Sequence, residues 1–145
     1  MNILAVCFAN YCRSPVVEAI LNEKLPEDYK VSSAGIRAVS LASMDKRSHN
    51  FLLDSGYRPK IHIPRNLNSK IIKESDLIYV MDAFMIDYLY KFRVTRTKDV
   101  KLFNFLDLSV DISDPHNLKD LAKYNKIMKN LESLAIINSK YINEK

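Results

Sequence analysis

The chain has 145 residues, 48% hydrophobic and 27% charged, with a net charge of +5 at pH 7. These values are typical of one soluble globular domain, which we expect to span residues 1–145. The modest positive charge attracts anions in general and, without a dense basic tail, does not favour a nucleic-acid partner.

The apolar start of the chain carries no basic leader, and polar residues interrupt it after Ala9. This pattern fits neither a signal peptide nor a membrane span, so we expect a cytoplasmic location and no membrane insertion. The two cysteines, Cys7 and Cys12, do not form a disulfide framework, and no Cys/His cluster has zinc spacing. We therefore expect neither a metal nor a cofactor.

The secondary-structure elements follow from apolar runs and their spacing. Pro15 suits the first turn of a helix, where its missing N–H is not needed, and Gly56 suits a helix C-terminus. In chain order the patterns predict strand Ile3–Val6, a helix from Pro15 to about Leu25, strand Tyr29–Ser33, helix Asp45–Asp54, strand Leu77–Met81, helix Ala83–Phe92, strand Lys101–Phe105 and helix Leu118–Ile142.

Strands that alternate with helices predict an α/β fold. We expect a four-stranded parallel sheet with helices on both faces. In such folds the ligand lies beyond the carboxyl ends of the strands. The segment Cys7–Ser14 leaves the first strand and enters the first helix, so it is the predicted phosphate-binding loop.

The composition of this loop suits phosphate chemistry. Its backbone N–H groups can surround an anion, and the helix N-terminus adds roughly half a positive charge. Arg13 adds a planar fork that matches two phosphate oxygens. Cys7 faces this positive field, which favours its thiolate and attack on phosphorus. The Cys–Arg spacing alone arises by chance in roughly one sequence in ten, so its position between strand and helix is the stronger signal.

A phosphate ester also needs a proton donor for its leaving group. Asp114 is the best candidate because Pro115 fixes the loop and biases Asp114 away from a helix. Asp107 and Asp111 are rivals by spacing alone, and Asp-Pro is often only a turn signal. The role of Cys12 stays open: it is either a buried structural thiol or a functional one.

Five segments in the same order resemble the low-molecular-weight protein tyrosine phosphatases, and the resemblance runs through most of the chain. The segments are Val6–Pro15, Ser33–Gly35, His62–Leu67, Asp76–Asp82 and Asp114-Pro115. The resemblance implies hydrolysis of phosphotyrosine without a metal. It makes Cys7 the nucleophile, Arg13 the phosphate clamp, and Asp114 the acid that later activates water. The expected partner is a phosphotyrosine protein, with a tyrosine kinase as a further candidate.

The resemblance also implies roles for the rest of the loop. The phosphate would be bound by Phe8, Ala9, Asn10, Tyr11, Cys12, Arg13 and Ser14. Ser14 would donate a hydrogen bond to the thiolate, while Asn10, Ser33 and His62 would form a polar network that fixes the loop. Phe8 and Tyr11 would line the pocket, and Cys12 would form a reversible disulfide with Cys7 under oxidation. Without the resemblance, His62 would be assigned no role.

The sequence departs from the family pattern at three places. Ala9 replaces the usual glycine, and alanine would be strained there if the position needs a positive φ. His116-Asn117 replaces two aromatic residues that many members have, and residues 36–43 lack the aromatic of some members. Tyr11 would restore part of the pocket wall. The substrate and the catalytic efficiency are therefore not determined by the sequence.

Three other functions remain open. A thiol-dependent arsenate reductase would need further cysteines, and none follows Cys12. A phosphate-binding module without activity is consistent with Ala9 and the altered rim, although it would not need Cys7 together with Asp114. A basic run is expected to be solvated rather than a nucleic-acid surface. The run consists of Lys91, Arg93, Arg96, Lys98 and Lys101. The sequence does not indicate an oligomeric state.

Overall fold

A computed structural model describes residues 1–39, 43–92, 99–104 and 112–144 of the chain. The elements are β1 (Asn2–Cys7), α1 (Ser14–Lys24), β2 (Lys30–Gly35), α2 (Lys46–Asp54), α3 (Ser69–Glu74), β3 (Leu77–Val80), α4 (Phe84–Tyr90), β4 (Asp99–Leu102) and α5 (Leu121–Asn143). The four strands form one parallel sheet in the order β2-β1-β3-β4. The predicted α/β class and four-stranded parallel sheet are confirmed.

β1 is an inner strand of the sheet. The chain passes from β1 to β2 on one side and then returns to β3 on the other, so the strand order reverses at β1. In register, Cys7 lies opposite Gly35 of β2, and Val6 lies opposite Val80 of β3. The loops that follow these three strands therefore meet at one edge of the sheet, where α/β proteins bind ligands.

The two faces of the sheet carry separate apolar cores, because successive side chains of a strand point to opposite faces. Ile3 and Ala5 of β1 pack with buried residues of α1, α2 and α5. Leu4 and Val6 pack with buried residues of α3 and α4. Helices thus cover both faces as predicted. Within the described ranges, no helix is both long and apolar enough to cross a membrane.

Several element boundaries differ from the predictions. The short helix α3 was not predicted, because it has one buried residue, Ile72, and so too little periodicity to detect. Strand β4 begins two residues before the predicted Lys101, and Phe105 lies outside the described residues. The predicted helix start at Leu118 is wrong. The Asp120 side chain accepts hydrogen bonds from the first backbone N–H groups of α5 and fixes the start of the helix there.

Candidate active site

The carbonyl groups of the loop after β1 are bound by the rest of the protein. Their donors, in loop order from Cys7 O to Cys12 O, are Ile36 N, Arg37 N, Val39 N, His62 Nε2, Asp45 N and Ser48 Oγ. By contrast, among the described residues no acceptor is found for a backbone N–H of residues 8–13. The loop thus uses its acceptors inside the protein and leaves its donors available at the N-terminus of α1. That arrangement is suited to an anion.

Cys7 and Ser14 lie at the two ends of this loop. The Cys7 residue is 2% exposed, and its Sγ atom lies 2.9 Å from the hydroxyl oxygen of Ser14. Ser14 is the first residue of α1, and Pro15 follows it in the first turn. The sulfur therefore sits beside a hydroxyl and close to the positive end of a helix, both of which favour nucleophilic sulfur chemistry.

Asn10 shapes the loop through its backbone and its side chain. It has φ 53°, and no other non-glycine residue of the described chain has positive φ. Its amide donates to Ser14 Oγ at 2.8 Å and to Ser33 Oγ at 2.9 Å, and its amide oxygen accepts from Arg65 N at 3.0 Å. Asparagine tolerates this left-handed conformation. The strain considered for Ala9 is absent, because the left-handed position of the loop is Asn10.

Gly35 lets the loop approach β2 closely. A Cβ atom at this position would lie 2.8 Å from Asn10 N, 2.8 Å from Phe8 O and 2.9 Å from Ala9 C. All three atoms belong to the backbone of the loop, so they cannot be moved by a side-chain rotation. The glycine of the Ser33–Gly35 segment is thus required by space rather than by its backbone angles.

A polar network supports the loop from the side of α1. Ser33 Oγ donates to Glu18 Oε2 at 2.5 Å, and His62 Nδ1 lies 3.7 Å from the same oxygen. His62 Nε2 lies 2.8 Å from Asn10 O, which can only accept, so Nε2 must carry a proton. The structure brings Asn10, Ser33 and His62 together and adds Glu18. Sequence reasoning missed Glu18, although it lies one helical turn after Ser14 on the same face of α1.

Arg13 is buried beneath the loop, with 1% exposure. Its Nη1 donates to both carboxylate oxygens of Asp82, at 3.1 and 3.0 Å, and to Ile112 O at 2.7 Å. Nη2 lies 3.6 Å from Asp114 Oδ2. One side of the guanidinium is therefore fixed by Asp82, which follows β3 and was given no role in the sequence analysis. The other side faces Asp114.

Asp114 lies at the open side of the site, with its side chain 43% exposed. Its carboxylate accepts from His116 N at 3.1 Å. Arg47 of α2 holds the same loop by donating to His116 O at 3.2 Å and to Leu118 O. Sequence reasoning missed Arg47. The rivals Asp107 and Asp111 lie outside the described residues.

The second cysteine differs from Cys7 in its surroundings. Burial raises the pKa of Cys12 to about 12, so the group is a neutral thiol at neutral pH, and it donates to Asp45 Oδ2 at 3.7 Å. Burial alone would raise the pKa of Asp45, but hydrogen bonds from Arg47 outweigh it and lower that pKa. Asp45 is therefore a carboxylate at neutral pH.

The rim of the site carries three aromatic rings. Phe8 is 40% exposed. The ring of Tyr11 meets the ring of His116 edge to face, with centroids 6.0 Å apart. His116 thus lies at the rim in contact with Tyr11, and Asn117 beside it is exposed.

Of the basic run, Arg93, Arg96 and Lys98 lie outside the described residues. Lys101 is half-buried in β4, and the Lys91 ammonium lies 5.3 Å from the centroid of the Tyr88 ring. The two described members therefore do not define a continuous basic surface.

Comparison with known proteins gives a consistent result. Residues 2–145 match the sequence profile of the family described as low molecular weight phosphotyrosine protein phosphatase. The chain is 31% identical over 115 residues to the low molecular weight protein-tyrosine-phosphatase Wzb of Escherichia coli K12, covering 79% of this chain and 78% of Wzb. The crystal structure of the Erwinia amylovora tyrosine phosphatase AmsI superimposes with a TM-score of 0.84 at 30% identity, covering 95% of this chain and 91% of that one. Vibrio vulnificus Wzb, solved with benzylphosphonate, gives a TM-score of 0.86 at 25% identity and covers 97% of both chains.

The parallel sheet and the Cys–Arg loop after its inner strand define a protein-tyrosine-phosphatase fold and an enzyme of that class. The chain belongs to the low molecular weight phosphotyrosine protein phosphatase family. The resemblance stated from the sequence, and the enzyme class that it implied, are confirmed.

Proposed function

We propose that this chain hydrolyses phosphotyrosine through a cysteinyl-phosphate intermediate on Cys7. One observation carries the proposal. The loop of residues 8–13 has its carbonyl groups bound by the protein, while its N–H groups have no acceptor among the described residues. These donors, with the buried guanidinium of Arg13, can surround a phosphate whose phosphorus lies near the Cys7 sulfur.

In the first step the Cys7 thiolate attacks phosphorus and the bond from phosphorus to the phenol oxygen breaks. Asp114, in its protonated form, gives its proton to the departing oxygen. The N–H groups of the loop and the Nη2 side of Arg13 stabilise the charge on the equatorial phosphate oxygens. Asp82 keeps the guanidinium plane in place during this step, because it binds Nη1 at 3.0–3.1 Å.

In the second step a water molecule attacks the phosphocysteine. Asp114, now a carboxylate, takes a proton from the water, whose oxygen bonds to phosphorus while the phosphorus–sulfur bond breaks. The Ser14 hydroxyl, 2.9 Å from Sγ, donates a hydrogen bond to the departing thiolate. Inorganic phosphate then leaves. Neither step needs a metal ion.

The rim supports a substrate with an aromatic ring. Phe8 and Tyr11 flank the loop, and His116 packs against Tyr11. We propose that the substrate is a tyrosine-phosphorylated protein, with a tyrosine kinase among the candidates. Because the mechanism needs Cys7 as a reduced thiol, and both cysteines are free, we place the reaction in the cytoplasm.

The intermediate itself provides the test. Wild-type protein and the Asp114→Asn variant are mixed with p-nitrophenyl phosphate, quenched in acid and examined by peptide mass spectrometry. We expect one phosphoryl group on the peptide that contains Cys7, and none in Cys7→Ser. Phosphate release without any phosphorylated Cys7 peptide in either protein would contradict the mechanism. Phosphate binding without turnover would indicate a binding module.

A further inference from the structure

A second group of side chains lies in the wall of this site. Cys12 Sγ, a carboxylate oxygen of Asp45 and a ring nitrogen of His116 lie within 4.8 Å of one another. They come from three separate segments, namely the phosphate loop, the N-terminal cap of α2 and the loop that carries Asp114. Thiolate, carboxylate and imidazole are the ligand types of zinc sites. We infer that Cys12, Asp45 and His116 bind a zinc ion, with water as the fourth ligand.

The spacing of the two buried ligands supports this inference. Cys12 Sγ and Asp45 Oδ2 are 3.7 Å apart and are joined by the thiol proton. Zinc–sulfur bonds of ~2.3 Å and zinc–oxygen bonds of ~2.0–2.2 Å at a tetrahedral angle separate the two ligand atoms by ~3.5–3.7 Å. A zinc ion can therefore replace that proton with little movement of either side chain. The S–H bond breaks, the proton passes to solvent and a zinc–sulfur bond forms, without any change of oxidation state.

The third ligand has the freedom to complete the site. His116 is exposed and lies in a turn, so rotation of its side chain can bring the ring nitrogen to bonding distance. Arg47 remains bound to Asp45, with Nε at 3.0 Å from Oδ1 and Nη2 at 2.9 Å from Oδ2. Each carboxylate oxygen has two lone pairs, so Oδ2 can accept from Arg47 and still bind the metal. The charges of zinc, the Cys12 thiolate and the Asp45 carboxylate cancel, so the Arg47 guanidinium gives the occupied site a net charge of +1.

Occupation of the site would act on the loop that carries Asp114, which we call the acid loop. His116 lies two residues after Asp114 and donates its backbone N–H to that carboxylate at 3.1 Å. Zinc would tie this loop to Cys12, which precedes Arg13 in the phosphate loop. We therefore expect zinc to inhibit the phosphatase reversibly, by preventing the movement of Asp114 toward the leaving group. The inhibition rests on the proposed function, whereas the binding of zinc does not.

Binding is tested on the full chain in the Cys7→Ser background, so that Cys7 cannot act as a ligand. Zinc ion alone is titrated calorimetrically, and cobalt(II) replaces it for spectroscopy, where a thiolate ligand gives a charge-transfer band. We expect one equivalent of zinc and a charge-transfer band. His116→Phe keeps a ring against Tyr11 but removes the nitrogen. It should weaken zinc binding at least as much as the ~10–100-fold that changes outside the ligand shell cause. His49→Asn, the loss of a histidine on α2, is the matched control and should leave binding unchanged.

Three results would overturn the site: no stoichiometric zinc binding, no charge-transfer band with cobalt, or equal zinc affinity in His116→Phe and His49→Asn. His116 is exposed, so its variant should fold even if Cys12→Ser does not. In the activity assay, zinc should inhibit wild type but not His116→Phe, and a chelator should restore the rate. Zinc binding without inhibition would overturn the inhibitory role. Zinc binding by a protein that is inactive even after chelation would support the site and contradict the proposed function instead.

Discussion

Replacing Gly35 with alanine should displace the phosphate loop. The added Cβ would lie 2.8–2.9 Å from three backbone atoms of residues 8–10, whereas ordinary contacts begin near 3.4 Å. The loop must therefore retreat by about 0.6 Å at its closest points. Since a misplacement of 1 Å can reduce a rate by ~10²-fold, we expect kcat/KM to fall by about tenfold. The overpacked contact should also lower the free energy of unfolding by ~1–3 kcal/mol.

Gly56→Ala provides the matched control. Gly56 has φ 87°, and a Cβ there would meet no atom within 4 Å. Alanine should therefore destabilise the protein by ~1–2 kcal/mol through backbone strain alone, without moving the loop. The two variants are compared in aryl phosphate hydrolysis and urea unfolding. Equal activity of Gly35→Ala and wild type, or an equal loss of activity in both variants, would refute the steric explanation.

Three further substitutions test the contacts around the site. Asn10→Ala removes the amide donors and places alanine at a positive φ, so kcat/KM should fall at least ~10-fold and the free energy of unfolding by ~1–3 kcal/mol. If steady-state kinetics and urea unfolding showed both quantities unchanged, the amide would be dispensable. Asp82→Asn removes the nearer of the two carboxylates that face the buried Arg13, so the melting temperature should fall, and inorganic phosphate should raise it more than in wild type. An equal phosphate effect in both proteins would contradict the pairing. Tyr124→Phe removes a hydroxyl 2.5 Å from Ser48 Oγ, so the free energy of unfolding should fall by ~1–2 kcal/mol. The rate of hydrolysis should stay within about twofold of wild type, and a large loss of rate would show that the hydroxyl acts in the site.

The local parts of the site could be predicted from the sequence. The apolar run of β1, the polar loop after it and Pro15 in the first turn of α1 are adjacent in the chain, so their geometry follows from short-range rules. The helix start near Asp120 also has a local signal, because aspartate caps helices, whereas the apolar pattern alone begins at Leu118.

The long-range parts could not be predicted in the same way. Arg13 meets Asp82 because β3 lies beside β1, and sequence spacing does not determine the order of strands. Arg47 reaches the acid loop because α2 packs against α5, and this packing is not visible in the sequence. The question of strain at Ala9 also needed backbone angles, since either Ala9 or Asn10 could supply the left-handed turn of the loop.

The most direct test of the account is the rate of aryl phosphate hydrolysis by wild type, Cys7→Ser and Asp114→Asn, measured across the acidic pH range. We predict that wild type turns over, that Cys7→Ser is inactive and that Asp114→Asn is slowed by ~10²-fold or more. Activity in Cys7→Ser would contradict the nucleophile. A wild-type protein that binds phosphate or vanadate but does not turn over would contradict the proposal that this chain is a working phosphatase.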